Sequence, residues 1–295
     1  MSAPGLLAVG AGAAVATCLL APLVLMLLRR FQVVDVPNHR SSHHRPTLRG
    51  GGLAVLGGVL LVALVTDLLP YAVSVPWVAV AGCVLLSALG LSADLTDIGP
   101  LSRFVGQALI GAAVGSLLGD WLTALIGAIA VPVLVNAVNF MDGINGITAL
   151  TMAAWGLVVA TGSTSGAALL AALTVGGALG FLPWNVPQAR MFLGDSGSYL
   201  FGGLAAMALL LEQSAGAHPA LVLAPLVPYL ADTGFTLLRR ARRGGRLTEA
   251  HREHLYQRLS RRSGWGHVSV ASLWAFAALA CGTLAVAIVR QNGML

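Results

Sequence analysis

The chain has 295 residues, of which 57% are hydrophobic and only 9% charged, with a mean hydropathy of +0.84. Soluble globular domains carry about one-quarter charged residues, so this composition excludes a soluble enzyme and specifies an integral membrane protein of the all-α class. No long polar insertion interrupts the chain; one transmembrane domain spanning 1–295 is expected, with the lipid bilayer as partner and no nucleic acid.

Ten apolar segments follow in order, near 6–28, 53–69, 73–91, 104–118, 122–138, 147–160, 169–184, 199–211, 220–238 and 268–289. The first lacks a basic leader and a small-residue cleavage site, so it reads as a retained span and not a signal peptide. Several segments are shorter than the ~20 residues needed to cross the hydrocarbon core, so they extend into their flanks or border a thinned, watery cavity. Cys18, Cys83 and Cys281 each fall inside a span, which is neither a disulfide framework nor a metal knuckle. The 36 glycines suit close helix packing and equally a homodimer contact.

All 17 basic residues are arginine. If alternate loops are assigned to the two sides, Arg29, Arg30, Arg40, Arg45, Arg49, Arg103, Arg190 and the arginines from Arg239 to Arg262 gather on one side and only Arg290 on the other. The positive-inside bias makes the crowded side cytoplasmic and puts both termini outside. The same parity places Asp35, Asp94, Asp97, Asp142, Asp195, Asp232, Glu249 and Glu253 at the cytoplasmic face, so any chemistry belongs there.

Five loops lie on that face. Residues 35–52 read DVPNHRSSHHRPTLRGGG; arginine forks bind phosphate oxygens, and glycines before a helix let backbone N–H groups approach an anion, although such turns also serve close packing. Residues 91–103 read LSADLTDIGPLSR, in which Asp94 and Asp97, three apart, share a cation if they sit on one helical turn and otherwise are plain surface acids. In NAVNFMDGING, residues 136–146, Asn136 and Asn139 flank an apolar helix end, where amides read a base or ribose hydroxyl, and Asp142 suits a metal or a hydroxyl. That stretch is also an ordinary turn composition. MFLGDSGS, residues 191–198, sets Asp195 between long apolar runs, where an ionisable side chain is a functional candidate unless it merely caps the next helix. EAHREHLYQRLSRRSGWGH, residues 249–267, brings His251, Arg252 and His254 together, a group suited to a diphosphate, or else a basic amphipathic segment on the anionic leaflet.

DVPNHRSSHHRPTLRGGG, NAVNFMDGINGI, FLGDSGS, PYLADTGFTLLRR and EAHREHLYQRL, in this order and on one face, resemble the polyprenyl-phosphate N-acetylhexosamine-1-phosphate transferase superfamily over nearly the whole chain. The HREHLYQRL ending is similar to the branch that initiates O-antigen-type and other surface polysaccharides, rather than the MurNAc-pentapeptide branch. The resemblance implies about ten helices around a cytoplasmic cleft in a bacterial plasma membrane. There a UDP-N-acetylhexosamine gives its sugar 1-phosphate to undecaprenyl phosphate and releases UMP. Mg²⁺, or Mn²⁺ in its place, is the implied cofactor. By matching motif, Asp195 is the principal metal ligand, and Asn139 and Asp142 lie in the nucleotide and metal site, with Asn136 and Asn145 on the same loop. His251, Arg252 and His254 hold the diphosphate, and Asp35, Arg40, His43 and Arg49 are substrate-binding positions.

Two residues depart from the pattern. Ala93 precedes Asp94 where relatives carry adjacent aspartates, the first of them a favoured candidate for deprotonating or positioning the lipid phosphate. A phosphate monoester with a second pKa of ~6 is already largely ionised near neutrality, so Asp94 or Asp97 suffices for activity. The other reading is a catalytically impaired relative that binds nucleotide sugar or lipid phosphate as a scaffold. Asn145 stands where many relatives have another aspartate.

Overall fold

The computed structural model describes residues 2–37, 45–69, 74–96, 98–245, 252–262 and 264–293. Arg40, His43, Asp97 and His251 lie outside them.

With no water in a bilayer core to satisfy backbone groups, long apolar segments fold as helices, and each of the ten predicted segments is helical. They form α1 (Ala3–Arg30), α2 (Gly52–Leu68), α3 (Trp77–Leu95), α4 (Pro100–Leu118), α5 (Trp121–Met141), α6 (Ile147–Gly162), α7 (Ala167–Asn185) and α8 (Gly194–Ser214). The ninth segment is divided into α9 (Ala220–Leu223), one 3₁₀ turn and α10 (Val227–Arg242), and α12 (His267–Gln291) follows the short α11 (Leu255–Arg262). Pro225 and Pro228 explain the break, since neither supplies a backbone N–H. Among the described residues, seven helical stretches are long and apolar enough to cross a membrane, including Ala220–Arg242 taken whole, while Gly52–Leu68 and Ile147–Gly162 are shorter apolar helices.

The helix that starts in the MFLGDSGS stretch is the axis of the packing. Every residue of α8 from Ser196 to Glu212 is buried, enclosed by α2, α3, α4, α5 and α7. Peripheral helices instead present apolar side chains outward, as Leu7, Leu19, Leu117 and Trp121 do. Small residues bring the helices together: a Cβ at Gly111 of α4 would collide with the Gly127 carbonyl of α5, and the reverse holds equally.

A three-stranded sheet was not expected from the apolar pattern. β1 (Val34–Asp35) pairs antiparallel with β2 (Thr47–Arg49), which pairs parallel with β3 (Met191–Phe192), in the register Leu48↔Met191 and Arg49↔Phe192. It fastens the first loop to the start of α8. The three glycines that follow β2 belong to the same seam: the N–H groups of Gly50 and Gly51 donate to the Phe192 carbonyl at 3.2 and 2.9 Å, and Gly52 N–H donates to Leu193 at 2.9 Å. These donors hold the chain to itself, which corrects the expectation that they approach an anion.

Candidate active site

All five loops, the last through Gln257 of α11 and His267, meet at one end of the bundle around a cleft of about 210 Å³. Asp35, Arg49, Asp94, Asn139, Asp142, Asn145 and Asp195 line it. Seven expected site residues, drawn from positions more than 150 residues apart in sequence, are therefore brought to one cavity.

Asp195 lies in the first turn of α8. The preceding Gly194 has φ +75°, and a side chain there would press on Asp94 Oδ2 and the Gly50 backbone, so only glycine turns the chain into the helix at this spot. Asp94, at the end of α3, accepts the Asp195 N–H through Oδ1 and the Ser196 N–H through Oδ2, each at 3.1 Å. A carboxylate receiving the first amides of a helix also meets the positive end of its dipole. Arg49 completes this junction, donating from Nη2 to the Asp94 carbonyl at 2.5 Å with Nε 3.7 Å from Asp94 Oδ1. Asp94 thus lines the cleft with each carboxylate oxygen accepting a backbone N–H from the start of α8. Helix α3 ends at Leu95 and Thr96 is extended; Asp97, the other expected acid, lies outside the described residues. Ala93 is buried and does not line the cleft.

Asp195 itself is held by Arg103, whose Nη1 stands 2.9 Å from Oδ2. Arg103 Nε donates to the Ile98 carbonyl at 2.7 Å, which fixes the guanidinium at the α3–α4 junction. Its sequence signal was read for topology alone. Asp142, the residue after α5, accepts the Thr148 hydroxyl through Oδ1 at 2.7 Å. Burial pushes its carboxyl up to about 7, with the Thr148 hydrogen bond opposing and the charge of Asp195 adding to the rise. Asn139 Oδ1 accepts the Ser198 hydroxyl at 3.2 Å, joining α5 to α8 beside Asp195. Asn145 donates from its backbone to His267 Nδ1 at 3.3 Å and from Nδ2 to the Pro187 carbonyl at 3.0 Å.

Three expected site residues stand elsewhere. Asn136 does not line the cleft; its Nδ2 donates to Gln107 Oε1 at 2.6 Å and the Pro132 carbonyl at 2.7 Å, an α4–α5 contact. His254 is buried with Nδ1 3.3 Å from Asp232 Oδ1 and its ring stacked between Phe140 and Tyr256, at centroid distances of 6.2 and 5.8 Å. Arg252 lines a separate arginine-rich cavity. Arg252 and His254 thus stand outside the cleft lining, and His251, the third member of the expected diphosphate group, lies outside the described residues. From this end of the chain the cleft receives Gln257 and His267 instead, along with Asn185 of α7. Asp232, buried in α10, accepts the Leu255 and Tyr256 N–H groups at 2.9 and 3.2 Å, and so anchors the start of α11.

Among the described residues no three His, Cys, Asp or Glu side chains form a ready-made metal cage. The donor set nevertheless fits a hard cation: among the described residues, protein groups engage one oxygen of Asp195 and one of Asp142. Mg²⁺ is commonly held by one or two carboxylates completed by water and substrate phosphates.

A polytopic helical bundle with carboxylates and guanidinium groups in a cleft at its helix ends is the framework of a membrane enzyme acting on anionic substrates. The Glycosyl transferase family 4 profile matches residues 76–212. The decaprenyl-phosphate N-acetylglucosaminephosphotransferase of Mycolicibacterium smegmatis is 32% identical over 302 residues, covering 85% of this chain and 74% of that protein. A probable undecaprenyl-phosphate N-acetylglucosaminyl 1-phosphate transferase of Bacillus subtilis is 23% identical, covering 82% and 73%. The phospho-N-acetylmuramoyl-pentapeptide-transferase of Moorella thermoacetica is 31% identical, covering 64% and 70%. The chain belongs to glycosyl transferase family 4, among the polyprenyl-phosphate N-acetylhexosamine-1-phosphate transferases, and is a multi-pass membrane transferase.

Proposed function

We propose that this enzyme transfers an N-acetylhexosamine 1-phosphate from a UDP-activated sugar to a polyprenyl phosphate, releasing UMP and leaving a lipid-linked diphosphate sugar that initiates a surface polysaccharide. The observation that carries the reading is the convergence of Asp142 and Asp195, with Arg49 and Arg103 behind them, on one cleft where the helices end. The arginine asymmetry supports a cytoplasmic cleft, where nucleotide sugars would enter, and N-acetylglucosamine-transferring relatives support the choice of sugar class.

Asp195 and Asp142 would hold Mg²⁺. When bound, the ion neutralises charge on the donor diphosphate and favours departure of UMP. Arg103 orients the Asp195 carboxylate, and Asp94 fixes the turn that presents it. Arg49 places a cation at the cleft wall toward the incoming phosphates. Asn139, Asn145 and Gln257 offer amides for nucleotide or sugar hydroxyls, and His267 closes the same wall. A dianionic lipid phosphate attacks without surrendering a proton, so the alanine at position 93 does not remove an obligatory base.

Purified protein given UDP-N-acetylglucosamine, undecaprenyl phosphate and Mg²⁺ should release UMP. Asp195→Asn should lower the rate by roughly 10²-fold or more. Absence of UMP across a panel of UDP-N-acetylhexosamines, with nucleotide sugar still bound, would favour the scaffold reading instead.

A further inference from the structure

A second cavity of about 370 Å³ opens between the end of α10 and α11, lined by Arg239, Arg243, Arg252, Arg258 and Arg261 with Glu253 as its acid. Glu253 is shared by Arg239 and Arg240 at 2.9 and 3.0 Å, which holds its carboxyl below the usual carboxylate range. Among the described lining residues, Arg239, Arg243 and Arg258 outnumber the single carboxylate of Glu253, a positive excess. Arg239 Nε is buried with no partner among the described residues, a donor still in need of an acceptor.

The neighbouring surface is of the opposite kind. A groove of about 360 Å³ runs between α10 and α12, formed by Ala231, Phe235, Leu255, Leu273 and Trp274. Phe235 is 67% exposed. The indole N–H of Trp274, though buried, has no partner. Glu253 and Arg258 line both the cavity and the groove, so the two form one continuous amphipathic surface. It is distinct from the cleft, with which it shares no lining residue: on α11, Gln257 faces the cleft while Arg258 and Arg261 face the arginine cavity.

We infer that this surface binds an anionic phospholipid of the surrounding bilayer, its phosphodiester among the arginines and an acyl chain along the α10–α12 groove. Charge complementarity selects the headgroup, because basic pockets beside membrane helices on the cytoplasmic side recognise anionic lipid heads. The groove favours a lipid over a free anion as occupant, since it offers an acyl chain a path along Phe235 and Leu273 directly beside the guanidinium groups. The acceptor lipid is disfavoured because its phosphate must reach Asp142 and Asp195. The assignment of the lipid as a bilayer phospholipid and not the acceptor rests on the proposed reaction; the headgroup preference does not.

The test uses the full chain in nanodiscs of phosphatidylcholine with or without phosphatidylglycerol, with retained lipid read by native mass spectrometry. The wild type should retain phosphatidylglycerol over phosphatidylcholine by on the order of tenfold. Arg243→Gln with Arg258→Gln should abolish that preference, Arg243→Lys with Arg258→Lys should keep most of it, and Phe235→Ala should weaken retention without changing headgroup preference. Equal retention of the two lipids by the wild type would overturn the inference, and that comparison needs no variant to fold. Displacement of phosphatidylglycerol by inorganic phosphate would reduce the site to an anion pocket, and one-for-one displacement by undecaprenyl phosphate would reassign it to the acceptor; either outcome refutes it.

Discussion

Arg103 Nη1 donates to Asp195 Oδ2 at 2.9 Å across 92 residues of sequence, tying the α3–α4 junction to the first turn of α8. Both side chains remain about a quarter exposed, and Asp195 lines the cleft, so this pair is not buried packing. Groups that orient a metal ligand typically contribute 10–100-fold to metal affinity or activity. Arg103→Gln is therefore expected to raise the Mg²⁺ concentration for half-maximal UMP release by about tenfold or more, with Arg103→Lys in between. An unchanged Mg²⁺ titration would show that the ion pair does not orient the ligand.

The contrast between Arg103 and Asp195 marks what the sequence discloses. Asp142, Asn139, Asp195 and Arg49 sit in short polar loops between apolar segments, and their expense in that setting makes them visible. The helices are visible for the same reason, since apolar runs in lipid have little alternative. Arg103 carries no such mark, because an arginine after a span is equally a topology anchor. Its role depends on α3 and α8 approaching closely enough that a Cβ on Gly90 would collide with the Asp195 carbonyl. The HREH cluster misleads in the opposite direction: His254 is spaced like a ligand, but the buried Asp232 of α10 claims it. The small sheet is also hidden, because strands of two or three residues lack a measurable alternation.

Asp94 supplies a test of positioning against chemistry. Asp94→Ala would strip the acceptors from the Asp195 and Ser196 amides. Leaving buried donors unpaired costs about 1–3 kcal/mol each. The variant should melt at lower temperature and lose activity. Asp94→Asn retains one acceptor oxygen and should recover part of both. If Asp94 were instead the proton acceptor for the reaction, Asp94→Asn would melt like the wild type and still be inactive.

The Asp142 carboxyl, pushed up to about 7 by burial, predicts how Mg²⁺ binding depends on pH. Burial favours the neutral acid, whereas a cation needs the carboxylate, so below about 7 a proton must leave before the ion binds. Mg²⁺ affinity, measured by calorimetry without substrates so that phosphate titration does not intrude, should fall as pH drops from about 8 to about 6. The decline should approach tenfold per pH unit at the acid end, and proton release should accompany binding. Asp142→Asn should bind more weakly and lose the pH dependence arising from this group. PH-independent affinity in the wild type would remove Asp142 from the metal site.

Gln257 offers the sharpest separation of binding from folding at the cleft. Its Oε1 is buried with no partner among the described residues, and its residue lines the cleft from α11. A substrate hydroxyl or amide is the natural donor to such an oxygen, and a hydrogen bond of this kind contributes about 0.5–1.5 kcal/mol. Gln257→Ala should raise the KM for nucleotide sugar by roughly three- to tenfold with kcat nearly unchanged. Asp232→Asn is the control for mere displacement of the helix, because Asp232 anchors the Leu255 and Tyr256 amides at its start. That change should loosen α11, hasten proteolysis there and lower kcat together with affinity. If Gln257→Ala reproduced the Asp232→Asn pattern, Gln257 would be a packing residue of α11 and the nucleotide sugar would be read elsewhere in the cleft.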